Sequence, residues 1–310
     1  MNPSEYTNEV LILRTAAIGI GSNSLRMLIA DVGENQLKRM GRYREGLRVF
    51  AALDEQGNIS EEMLNLAGDH IAAFAKEALD KGAETIHLFA TSAVRDAKNA
   101  DELERIIFDR SGLRLEVCSG DKEAELSFLG ATRGVPSGMI DIGGGSTEIV
   151  VGDAKTIHHG VSLQMGAVRL FRLLPIASVE DARKVIEHAH TLIEPHLSDY
   201  LPYETTEWIG VGGTFTTTAA FVQRKPWDDR SNIHGFVLTK DDVMDAIAML
   251  APMSLEERKT LPFLQPQRAD IIVHGLAILA ACMEAFELKR IIVSEYGNLE
   301  GYLKNHYFSE

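Results

Sequence analysis

Residues 16–24, AAIGIGSNS, run from an apolar stretch into a polar, glycine-punctuated one, and residues 138–147, GMIDIGGGST, do the same in the second half of the chain. Each reads as a buried strand that ends in a tight loop and leads into another apolar strand, LRMLIADV in one case and STEIVVGD in the other. Laid over each other, Ile18 meets Ile140, Gly19 meets Asp141 and Gly21 meets Gly143. This recurrence constrains the fold more than any other feature. It predicts two related halves, each opening with strand, glycine loop and strand. At 310 residues the chain has the length for about two domains of ~150 residues each.

The remaining pattern agrees. A third, more polar strand is expected at 36–44, then a helix from the Ser60 cap to Gly82, with Glu61 and Glu62 in its first turn. TIHLFAT reads as a strand, 99–112 as a helix closed by Gly112, LRLEVCSG as a strand and KEAELSFLGATRG as a helix. The second half adds a third strand, TIHHGVSL, helices near 179–201, 239–251 and 268–288, and strands TEWIGVGG and RIIVSEYG. A short helix, LEGYLKNHYF, follows. Strands alternating with helices predict an α/β fold. The boundary falls near 134–136, giving lobe I over 1–134 and lobe II over 135–310. The helix near 298–310 is free to pack back on lobe I.

Charge narrows the function. The net charge of −14 argues against nucleic acid held on a broad basic face. It leaves room for a phosphorylated ligand in a local pocket. The basic stretch LKRMGRYREGLR, with Lys38, Arg39, Arg42, Arg44 and Arg48, suits a lip that draws in a polyanion. No run of about 18 apolar residues predicts a membrane span. Cys118 and Cys282 lie far apart and read as thiols of a reducing compartment, so the expected location is cytoplasmic. The histidines at 158, 159, 188 and 190 lack ligand spacing, and Trp208 and Trp227 read as packing residues.

A glycine loop between strands suits phosphate, because a Cβ would keep the backbone N–H groups away from it. The candidate phosphate-binding residues are Gly21, Ser22, Asn23 and Ser24 in the first loop, and Gly143, Gly144, Gly145 and Ser146 in the second. A third loop, GVGGTFTT, adds Gly212, Gly213 and Thr214. None contains Gly-Lys-Ser/Thr, so this is no Walker A site. Asp141 ends an apolar strand and Glu148 stands across the loop. Carboxylates beside a phosphate repel it unless a cation intervenes, and Mg²⁺ takes one or two carboxylates plus waters and phosphate oxygens. Asp141 and Glu148 are therefore the candidate metal ligands.

The stretches GSNSLRMLIA, ATSAVRDAKN, SGDKEAEL, IDIGGGSTE, GVGGTFTTTAA and VSEYGNLEGYL, in this order, resemble the exopolyphosphatase / guanosine pentaphosphate phosphohydrolase (Ppx/GppA) family. The resemblance runs from about Thr15 onward. It implies a two-lobed, actin-like fold of the sugar-kinase and chaperone-ATPase superfamily, with the site in the interlobe cleft. It also implies Mg²⁺-dependent release of a terminal phosphate from polyphosphate or pppGpp. By position, Glu123 falls on the family's general base and Arg95 on its active-site arginine. Such folds are often homodimers. Longer members add a C-terminal helical region of the HD type, which the resemblance here does not include.

Three positions depart from the family pattern. Gly19 stands where an aspartate of the metal-and-phosphate apparatus is usual. Lys122 replaces an acidic residue before the base, and Leu299 replaces an arginine. The leading expectation is a phosphohydrolase. A catalytically weak sensor of (p)ppGpp or polyphosphate is the alternative these departures motivate. A small-molecule kinase of the same superfamily is a lesser alternative, which the three loops alone allow.

Overall fold

The structure, a computed structural model, describes residues 12–34, 36–132, 135–153, 156–203 and 205–308. Strands β1 (Leu13–Ile20), β2 (Leu25–Gly33), β3 (Gln36–Glu45), β4 (Thr85–Ala90) and β5 (Glu116–Val117) form one mixed sheet in the order β3-β2-β1-β4-β5. Strands β6 (Ser137–Ile142), β7 (Thr147–Gly152), β8 (Ile157–Leu163), β9 (Glu207–Val211), β10 (Val237–Thr239) and β11 (Arg290–Val293) form a second, in the order β10-β11-β9-β6-β7-β8. With β10 set aside as an added edge, the two orders are the same. β1 is antiparallel to β2 and parallel to β4; β6 is antiparallel to β7 and parallel to β9. The repeated sequence is thus a repeated topology. Part of the expected boundary, Gly134, lies outside the described residues, as do residues 1–11, 309 and 310.

Helices cover these sheets where the sequence supplies caps. The Ser60 hydroxyl accepts from the Met63 N–H at 3.3 Å, opening the helix Glu61–Asp80. Ser119 accepts from the Lys122 N–H at 3.1 Å, opening Gly120–Ala131. The apolar run near 271–285 becomes the helix Ile272–Ala285, buried on all sides from Ile272 to Met283. A helix apolar all round has nowhere else to go. No helix among the described residues is long and apolar enough to cross a membrane.

The final helix, Asn298–Phe308, follows the second sheet but packs against the first. Leu299 and Leu303 join Ala17, Leu28 and Phe89 in one apolar cluster. Tyr302 stacks on Phe89 with ring centroids 4.7 Å apart. This helix also crosses Gly120–Ala131 at two glycines. A Cβ on Gly301 would lie 1.7 Å from the Leu126 carbonyl oxygen, and one on Gly130 would lie 1.9 Å from that of Gly297. Backbone meets backbone there, and any side chain would force the helices apart.

Candidate active site

The first two glycine loops have the same internal turn. Gly21 N–H donates to the Ser24 carbonyl at 3.0 Å, and Gly143 N–H to the Ser146 carbonyl at 3.0 Å. They also face each other. A Cβ on Gly144 would sit 2.7 Å from the Ser22 Cβ, so glycine at this position lets the two lobes close. Ser22, Asn23, Ser24 and Ser146 are all buried in this junction. The Ser22 and Ser92 hydroxyls lie 2.7 Å apart. In the third loop Gly212 has φ 98°, a left-handed conformation that favours glycine, and a Cβ there would come 2.9 Å from Asp141 Oδ1. Gly213 lies directly beneath the Arg268 guanidinium. The Thr214 hydroxyl is buried beside Gly275, while Thr216 lines the cleft.

Behind the loops lie three buried carboxylates. Glu123, in the first turn of Gly120–Ala131, is 7% exposed. Arg95, at the end of the one-turn helix Ser92–Arg95, donates from Nη1 to Glu123 Oε2 at 3.1 Å and to the Cys118 carbonyl at 3.0 Å. Its Nη2 is buried with no partner. Asp141 and Glu148 are direct partners across the β6–β7 ladder. Asp141 Oδ2 accepts from Ser127 at 2.7 Å, and Glu148 Oε1 accepts from Ser162 at 2.7 Å, leaving Oε2 unpartnered.

Burial raises all three carboxyls above their ordinary range. For Glu123, the charge of Arg95 opposes the rise and Asp141 adds to it. For Asp141, the Ser127 hydrogen bond and Arg26 oppose it. Glu148 is pushed furthest, with Glu123 and Asp141 reinforcing burial. Like charges directly opposite on a ladder destabilise it. A divalent cation between Asp141 and Glu148 would relieve that repulsion, and the free Glu148 Oε2 fits such a ligand. No set of three or more His, Cys, Asp or Glu side chains is placed to hold a metal among the described residues. Two carboxylates with water and phosphate oxygens remain sufficient for Mg²⁺.

A cleft of about 630 Å³ opens beside the third loop; Gly212, whose Cβ would meet Asp141, lies in its wall, while Glu123, Asp141, Glu148, Arg95 and the first two loops do not line it. Arg26, Arg39, Arg42, Arg44, Arg230 and Arg268 line it. Arg39 is held by Glu300 at 2.6 Å and stacks 3.4 Å over the Tyr296 ring centroid, and Arg230 is paired with Glu295. Among the described residues, no acidic side chain forms an ion pair with Arg26, Arg42, Arg44 or Arg268. Burial and the charges of Arg26, Arg230 and Arg42 lower Arg44 to about 10. Burial, with Arg44, Arg26 and Arg230, lowers Arg268 well below the usual arginine range. Arginines crowded against one another in this way are poised to take up an anion. The basic stretch 37–48 supplies three of the six. Arg230 and Arg268 were not anticipated: Arg268 stands at the start of the helix expected near 268–288, and both reach the cleft only through the tertiary fold.

The departures at Gly19 and Leu299 occupy one place. A Cβ on Gly19 would lie 3.0 Å from Phe89 Cζ and 3.2 Å from Leu299 Cδ2. Arg26 is the ladder partner of Gly19, as Glu148 is of Asp141. The equivalent corner of lobe I therefore holds a cation and apolar packing where lobe II holds two acids. Lys122 pairs with Glu125 at 3.0 Å. Trp208 packs on Phe286 with centroids 4.9 Å apart, as expected of a packing residue. Trp227 instead is 37% exposed and lines the cleft.

Two like-ordered α/β sheets whose paired glycine loops face each other define the actin-like, two-lobed class of fold. The chain belongs to the Ppx/GppA phosphatase family, whose sequence model matches residues 28–309. It is similar to exopolyphosphatase 2 of Mycobacterium tuberculosis, 32% identical across 94% of this chain and 97% of that protein. It is also 29% identical to a bifunctional 3-dehydroquinate synthase/phosphatase of Fusobacterium nucleatum, across 96% of this chain and 46% of that one. The solved Ppx/GppA enzyme of Aquifex aeolicus superposes with a TM-score of 0.81 at 27% identity, covering 95% and 100% of the two chains.

Proposed function

We propose that this chain releases the terminal phosphate of inorganic polyphosphate or pppGpp by attack of water. The observation that carries this reading is the convergence of unpartnered buried polar atoms. Asn23 Oδ1, Arg95 Nη2, Ser146 Oγ and Glu148 Oε2 lie on the first two loops, the helix Ser92–Arg95 and β7, and four arginines without ion pairs line the neighbouring cleft. Glu123, fixed by Arg95, is the group that takes the proton of the attacking water. Arg95 keeps one N–H edge for the phosphoryl oxygens, as its planar fork allows. The backbone N–H groups of the loops at 21–24 and 143–146 hold the phosphate, and the cleft arginines hold the rest of the anion. Mg²⁺, with Asp141 and Glu148 as its protein ligands, would neutralise charge on the phosphoryl oxygens. The cytoplasm is the compartment that supplies these substrates and keeps Cys118 and Cys282 reduced.

Phosphate release from polyphosphate and from pppGpp, with Mg²⁺ or with chelator, tests the proposal. Glu123→Gln is expected to lower turnover about 10²–10⁴-fold, the usual size of a general-base contribution. Unchanged release in that variant would refute the assignment. A second reading, a sensor that binds without turnover, is favoured by the apolar filling at Gly19. Tight binding of either ligand by calorimetry, without release of phosphate, would select it.

A further inference from the structure

The cleft contains groups that a bare polyphosphate cannot use. Trp227 is 37% exposed, and among the described residues no ring or cation stacks on its indole. The turn that carries it is tied down through its backbone: the Trp227 main-chain N–H donates to the Pro262 carbonyl at 3.1 Å, and Lys225 Nζ donates to the Ser231 carbonyl at 3.0 Å. Glu45 and Asp228 also line the cleft, and no ion pair holds either among the described residues. Carboxylates left free in an anion-binding cavity repel a uniform chain of phosphates. They suit a ligand whose other end carries N–H donors. An exposed, unstacked indole on the cleft wall suits an aromatic ring, since a base gains from stacking whatever its sequence identity.

We propose that Trp227 is a specificity-determining residue, a stacking platform for the base of a nucleoside polyphosphate, with Glu45 and Asp228 facing the N–H groups of the base. The proposal rests on reading the arginine-lined part of the same cleft as the phosphate site. Trp227 sets ligand choice here, while Glu123 and Arg95 carry the chemistry.

Calorimetry on the full chain with pppGpp and with linear tetrapolyphosphate, for wild type, Trp227→Ala and Trp227→Phe, decides the matter. Trp227→Ala is expected to weaken pppGpp about tenfold or more, Trp227→Phe to retain most of the affinity, and tetrapolyphosphate to bind all three alike. An equal loss for both ligands in Trp227→Ala, no loss for pppGpp, or failure of pppGpp to bind wild type would overturn the proposal. Phosphate release is read in parallel and separates the two claims. Release from polyphosphate with pppGpp indifferent to Trp227 leaves the hydrolase reading standing and removes the platform. Trp227-dependent binding of pppGpp without release from either ligand keeps the platform and removes the hydrolase.

Discussion

Gly301→Ala puts one methyl group where two helices touch by their backbones. In an ordinary helix this change stabilises by roughly 0.5–1 kcal/mol, because glycine loses more freedom on folding. Here the new Cβ would lie 1.7 Å from the Leu126 carbonyl oxygen. Carbon and carbonyl oxygen approach to about 3.3 Å at closest, so Asn298–Phe308 and Gly120–Ala131 must separate by roughly 1.6 Å. Overpacking of this kind costs about 1–3 kcal/mol, sometimes more. With the contact against backbone, the upper end applies, and a net loss of about 2 kcal/mol remains after the helix gain. At about 2.1 cal/mol/K per residue, a 310-residue chain shifts by roughly 1.5 °C per kcal/mol, so thermal unfolding should fall by roughly 3 °C. Gly130→Ala should behave alike. The double variant should lose less than the sum, since helices already apart accommodate the second methyl. Phosphate release should fall with stability, because Glu123 rides on the displaced helix. A Gly301→Ala protein that melts higher than wild type would refute the close approach and the coupling drawn from it.

Three further outcomes follow from the site. Because burial raises the Glu123 carboxyl, the acid side of the pH–rate profile should fall off above the ordinary carboxylate range, and Arg95→Lys, which disturbs the opposing guanidinium, should move that limb; an unmoved limb counts against the pair. Glu148 has its folded value raised, so the stability it contributes is present at low pH and lost as pH rises through that value; Glu148→Gln, which copies the neutral form, should melt higher than wild type at pH 8 in chelator, with the gap narrowing as Mg²⁺ stabilises the wild type. Gly19→Asp should lower the melting temperature without raising phosphate release, because Phe89 and Leu299 fill the space its carboxylate needs; a more active variant would show that lobe I still offers a working position.

Much of this was legible in sequence because it is local. The paired loops, the Ser60 cap and the apolar helix Ile272–Ala285 each depend on a few neighbouring residues. The segment GVGGTFTT is expected as a loop, yet its second half opens a helix. That helix, Gly213–Val222, forms because Thr214, Thr217 and Thr218 are buried. LRLEVCSG alternates like a strand, yet only Glu116 and Val117 pair, with Phe89 and Ala90. β10 was hidden by its shortness before the Thr239 cap. Trp227 and Arg230 share one turn and meet Arg268 from a separate one, and nothing local announces a convergence. The Gly130–Gly301 crossing was equally silent, since a helical glycine reads as a weak spot until its neighbour is known.

That crossing also sets a timetable. Glu123 and the helix that closes over its own helix are separated by the whole second sheet. At roughly 5–20 residues per second, a ribosome needs on the order of nine to thirty-five seconds to pass from Glu123 to Asn298. During that interval Phe89 and Leu126 lack the cover of Leu299 and Leu303. The first half to be made therefore cannot mature ahead of the second. The nascent chain carries an uncovered apolar face, the point where a chaperone or a neighbouring nascent chain finds purchase, until the closing helix Asn298–Phe308 is made.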